Sequence, residues 1–145
     1  MSNVIDIAKA SIAAYNDRDW SRAKELLAAD AIYDEKATHR RIQGPGEIMQ
    51  AWQGWAKAFP DSKGTIVNEF ANGDTAILEI VWRGVHSGPL QTPTGIIPAS
   101  NKSIEMAACQ IVRVENGKVK SASHYFDMLT MLTQIGVMQA PSAAA

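Results

Sequence analysis

Apolar residues recur along this chain with two different periods, and the change of period divides it. Val4, Ala8, Ile12 and Tyr15 fall at helical spacing, which predicts an amphipathic helix over residues 3–16. Asp17 and Asp19 interrupt that pattern, and Asp19 is suited to cap a second helix over 20–29 with Trp20, Ala23, Leu26 and Leu27 on one face. Residues 31–34 read as strand or loop, and 38–43 as extended. Pro45 fits the first position of a third helix whose stripe is Ile48, Trp52, Trp55 and Phe59; Pro60 stops it.

Beyond Pro60 the period falls to two. Strands are expected over 64–71 and 75–87, joined at Asn72-Gly73-Asp74, and over 102–115 and 118–126, joined at Asn116-Gly117, a pair favoured in type I′ hairpin turns. Residues 88–101 hold Gly88, Pro89, Pro93, Gly95 and Pro98 and read as a long loop, either a lid or a dimer arm. A last helix spans 127–136, with Gly136 as its stop. Helices first, then antiparallel strands, then one helix argue an α+β fold: a cone-shaped curved antiparallel or mixed sheet wrapped around the N-terminal helices. One domain over 1–138 and a flexible tail over 139–145 are expected.

Strand alternation selects an inner face. Charged Glu79, Arg83, Glu105, Arg113, Glu115, Lys118 and Lys120 mark the outside. Three polar groups then face inward among apolar ones: His86 beyond Trp82, Gln110 beyond Met106 and Ala108, and Asp127 beyond Tyr125. An apolar concavity with a few convergent polar groups is the usual form of a small-molecule site. At the strand-to-helix junction Asp127 fits two roles, a helix cap or a partly desolvated general base. His86 and Gln110 also fit plain structural roles, and the tryptophans fit a core.

Charge narrows the picture. With 14 basic and 15 acidic residues the net charge is −1, which gives no electrostatic footprint for nucleic acid or an acidic membrane. The N-terminal stretch carries Asp6 and Lys9 and does not read as a signal peptide. No apolar run has the length of a membrane span. The lone Cys109 fits a reduced, cytoplasmic setting. His39, His86 and His124 lack metal-ligand spacing, so no metal is expected.

The order His86-Ser87-Gly88, Pro93-Thr94-Gly95, Val112 to Val119 around Asn116-Gly117, Tyr125-Phe126-Asp127 and Gln134-Ile135-Gly136, with Phe59-Pro60-Asp61 upstream, resembles the SnoaL-like polyketide (ester) cyclases of the nuclear transport factor 2-like superfamily. The resemblance implies an α+β cone that dimerises through its outer sheet face. It implies a cofactor-free enzyme in which Asp127 is the acid/base for an intramolecular aldol closure, with His86 and Gln110 as donors to the enolate. Tyr15, Trp52, Trp55, Phe59, Trp82, Met106 and Tyr125 would shape a pocket for a hydrophobic, aromatic or polycyclic molecule. The chain departs from the family pattern at Ala108, where a polar partner of Gln110 is expected. Isomerisation, dehydration or non-catalytic ligand binding and dimerisation are the alternatives on the same fold.

Overall fold

The computed structural model describes residues 3–139. Its elements are α1 (Val4–Asn16), α2 (Trp20–Glu25), β1 (Leu27–Glu35), β2 (Arg40–Gln43), α3 (Pro45–Ala58), β3 (Lys63–Asn72), β4 (Thr75–Val85), β5 (Leu90–Thr92), β6 (Gly95–Ile97), β7 (Ser103–Glu115), β8 (Lys118–Phe126) and α4 (Met128–Gln134). Six strands form one sheet in the order β2-β1-β8-β7-β4-β3. All neighbours are antiparallel except β1 and β8, which run parallel. The fold is therefore the α+β arrangement expected, with a mixed sheet.

Local chemistry fixes the element ends. The side chain of Asn3 accepts from the Asp6 N–H, and Asp19 accepts from Arg22 N–H, so both helices start on capping residues. The turn at Asn116-Gly117 has φ of 53° and 74°, the doubly positive pair that a type I′ turn needs. Gly64 on β3 faces Trp82: a Cβ there would lie 2.9 Å from the indole, so only glycine leaves room for that ring.

The sequence reading departs from the structure at three places in the fold. The second helix ends at Glu25, not at residue 29, and residues 27–35 form a full strand. That strand is stabilised by non-local pairing with β8 and β2, which a local pattern does not reveal. The long loop 88–101 contains a hairpin, β5–β6, whose Leu90 is buried. The expected tail, from residue 140 onward, lies outside the described residues.

The core sits between the concave sheet face and the helices. Leu78, Ile80 and Val112 from the sheet meet Ile48 of α3 and Met131 of α4, all fully buried or nearly so. Met131 is fully buried and lines the interior cavity, so α4 supplies part of its wall. No helix among the described residues is long and apolar enough to cross a membrane.

Candidate functional site

Between α1, α3 and the sheet lies an apolar cavity of about 70 Å³. Tyr15, Trp52, Trp55, Phe59, Trp82, Met106 and Gln110 line it, so seven of the residues expected at the site do meet there. Gln110 is buried, yet its amide makes no side-chain hydrogen bond among the described residues, which leaves it free to bind a guest. Tyr15 and Ser62 form a second polar point, with their hydroxyls 2.8 Å apart. Burial raises the Tyr15 hydroxyl above its ordinary pKa, against smaller opposing effects of Ser62 and Arg18.

Asp127, His86 and Tyr125 are not on the cavity wall. Asp127 is exposed and caps α4: its carboxylate accepts from the Thr130 backbone N–H at 3.0 Å and from the Thr130 hydroxyl. Those bonds hold its pKa below the ordinary carboxylate value, the opposite of a raised base. Tyr125 is 44% exposed on the outer face. The cause of both errors is one extra residue. Arg113 pairs with Ser121 but Val114 pairs with Val119, so Lys120 is bulged out of β8. Beyond it the alternation flips, and Ala122, His124 and Phe126 turn inward in place of Ser123, Tyr125 and Asp127.

His86 does face inward, but into packed structure. Its Nδ1 accepts from the Ser100 backbone N–H at 3.1 Å, and its ring lies 5.2 Å from that of Phe59. It pins the far end of the β5–β6 connection to the sheet. Its Nε2 has no hydrogen-bond partner among the described residues, and burial lowers its pKa.

The bulge brings His124 onto the wall, and with it a buried chain of polar groups. Trp82 Nε1–H donates to His124 Nε2 at 3.3 Å. His124 Nδ1 is 2.8 Å from the Tyr33 hydroxyl, and that hydroxyl donates to Glu35 Oε2 at 2.9 Å. The directions are mutually consistent only if the imidazole is neutral and carries its proton on Nδ1. Burial pushes the His124 pKa down to about 4, partly offset by the Glu35 charge. Burial also pushes the Glu35 carboxyl upward. Bonds from Thr38, Arg40 and Trp55, together with the Arg40 charge, outweigh that and keep it ionised. Tyr33 is raised well above its ordinary value by burial and by Glu35.

Tyr33, Glu35 and His124, together with Ser62, are the hydrogen-bonded polar residues of the site that the sequence reading missed. Tyr33 and Glu35 stand two apart on β1, hence on one face, and both are buried. Reading 27–35 as a strand would have exposed the pair. Among the described residues no three His, Cys, Asp or Glu side chains are grouped to hold a metal ion.

The architecture is shared with solved structures at low identity. IdmH of Streptomyces antibioticus, described as a proposed polyketide cyclase, superposes with a TM-score of 0.80 at 24% identity, covering 93% of this chain and 99% of that one. AclR of Streptomyces galilaeus, described as a proposed hydroxylase, gives 0.79 at 18%, covering 94% and 82%. A Catenulispora acidiphila protein described as having a ketosteroid isomerase-like fold gives 0.77 at 21%, covering 90% and 92%. The fold is thus of the nuclear transport factor 2-like, ketosteroid isomerase-like class. Within that class the chain belongs to the SnoaL-like polyketide cyclase family, whose profile matches residues 5–135. No curated protein sequence matches it.

Proposed function

We propose that this chain is an enzyme that moves a proton at the carbon next to a carbonyl in a small hydrophobic substrate, with His124 in the role expected of Asp127. The observation that carries this is the neutral imidazole on the cavity wall, held in one tautomer with a buried carboxylate behind it. The proposed step breaks the α-carbon C–H bond and passes the proton to His124 Nε2, whose lone pair the long Trp82 N–H bond gives up as the proton arrives. The Gln110 amide donates to the enolate oxygen. The imidazolium is stabilised through Tyr33 by Glu35, and the enolate supplies a counter-charge beside it. In an aldol closure, the reaction of the family's name, the enolate carbon attacks an internal ketone, and the alkoxide recovers the proton from Nε2. No cofactor is called for, because the substrate supplies its own acidic carbon and the protein supplies position and hydrogen bonds.

The outer sheet face supports a second copy of the chain as partner. Phe70, Ile77 and Ile111 form one cross-strand row there, and Phe70 and Ile111 are exposed.

The test is turnover of a panel of polyketide esters and 1,3-dicarbonyls by wild type, His124→Gln and Asp127→Asn. The expected result is loss of turnover in His124→Gln and retention in Asp127→Asn. Turnover retained by His124→Gln sinks the assignment.

A further inference from the structure

Residues 86–102 leave β4, form the β5–β6 hairpin and return to β7. That hairpin is a two-stranded sheet of its own, separate from the main sheet. Its body rests on buried Leu90, where β5 packs on α3, and on half-buried Ile97. Both feet are tied down. On the outgoing side the Gly88 N–H donates to Ala58 O at 3.1 Å, so close to α3 that a Cβ on Gly88 would lie 2.0 Å from Lys57 O. On the returning side the Asn101 N–H donates to His86 O at 2.8 Å, and the Ser100 N–H donates to His86 Nδ1 at 3.1 Å. His86 therefore holds the returning foot with both its backbone and its ring.

The ring contact fixes a protonation state. A backbone N–H only donates, so Nδ1 offers its lone pair and the proton of the neutral imidazole lies on Nε2. Uptake of a second proton puts a donor on Nδ1, facing the donor of Ser100. The Ser100 hydroxyl, 2.9 Å away, can accept from the new N–H, but the Ser100 backbone N–H is then left without its acceptor. The surroundings do not welcome a cation. His86 is fully buried, and its Nε2 has no hydrogen-bond partner among the described residues. The charged residues on the segments around it are Lys57 and Asp61 at the end of α3, Arg18, whose Nη2 reaches Phe59 O and Pro60 O, and Lys102 on the returning side. Three of these are cations, and Asp61 Oδ1 is engaged by the Val85 N–H.

We propose that residues 87–101 are a strap that neutral His86 holds shut and that acid releases: a proton from solvent, taken up on Nδ1, breaks the Ser100 contact and frees the returning foot. The Gly88 foot, which titrates nothing, stays as the hinge. The switch stands one side chain behind the inner cavity, because the His86 ring lies 5.2 Å from that of Phe59, a wall residue. Burial lowers the His86 pKa in the closed form. In the open form the imidazole meets water and takes its proton near its ordinary value of about 6.5. The open form therefore gains as pH falls below about 6.5, by up to about tenfold per pH unit.

The test is amide hydrogen exchange of the whole chain by NMR at pH 7.0 and 5.0, as protection factors, with wild type and His86→Asn. The Asn carbonyl can accept from the Ser100 N–H and does not titrate. The expected result is that protection of the Ser100 and Asn101 amides falls between the two pH values at least fivefold more in wild type than in His86→Asn, while β7 amides stay the more protected in both. Equal falls in the two proteins, no fall in wild type, or strap and β7 amides exchanging together overturn the proposal. Wild type alone supplies a second check should His86→Asn not fold: the ring nitrogen shifts at pH 7.0 are expected to place the His86 proton on Nε2, and a proton on Nδ1 overturns the proposal. None of these readouts depends on turnover or on His124.

Discussion

Acidification is expected to loosen this protein well before its carboxylates titrate, and the source is His124. Its pKa lies near 6.5 in the unfolded chain and about 4 in the fold. As pH falls below about 6.5, the unfolded state takes up a proton that the folded state refuses. Stability from this group is therefore complete above about 6.5 and is lost progressively down through about 4. The gap is worth about 3 kcal/mol in full, most of it gone by pH 4.5. That is roughly 10 °C in Tm for a domain of this size. His86, also lowered by burial, acts in the same direction. The groups facing His124 are Trp82 of β4, Gln110 of β7, and Tyr33 and Glu35 of β1, with Arg40 behind Glu35. Glu35 is itself held low, so its own loss comes at more acid pH, below the window that isolates histidine. The assay is urea unfolding at pH 7.0 and 4.5 for wild type and His124→Gln. Wild type is expected to lose about 2.4 kcal/mol more than the variant loses over the same interval. Equal losses in the two proteins would refute the claim that His124 is neutral and desolvated.

Other perturbations follow from the same geometry. Asp127→Ala removes the α4 cap and is expected to cost about 1 kcal/mol in chemical denaturation, while Asp127→Asn stays close to wild type. Met131→Ala empties a fully buried position on the cavity wall, at a cost of about 2–5 kcal/mol in the same experiment. Ile111→Glu puts a charge on the exposed outer face; if that face joins two copies, sedimentation shows a dimer in wild type and a monomer in the variant, with the fold intact by circular dichroism. Tyr33→Phe breaks the link from His124 to Glu35 and is expected to lower turnover by at least tenfold, while leaving Glu35 paired to Arg40.

What the sequence revealed of the site depended on which strands were regular. On β7 the alternation is unbroken from Ile104 to Val114, and Met106 and Gln110 fall on the concave face as periodicity predicts. Trp82 on β4 follows the same rule. On α3 the helical stripe correctly gathered Trp52, Trp55 and Phe59. On β8 a single bulged lysine reversed every later position, and no local signal announces such a bulge, since its cause is the pairing of two neighbours at once. Glu35 was hidden for another reason: it becomes legible only once 27–35 is taken as a strand, and its partners lie elsewhere in the chain. A buried carboxylate is stable only with partners, and here they come from Thr38 and Arg40 after the turn and Trp55 on a separate helix.

The most direct test of the account is deuterium incorporation at the central carbon of acetylacetone, followed by NMR at neutral pH with wild type, His124→Gln and Asp127→Asn. Accelerated exchange is expected with wild type and Asp127→Asn, and only the solvent rate with His124→Gln. Full exchange by His124→Gln, with loss in Asp127→Asn, would contradict it and return the base to the head of α4.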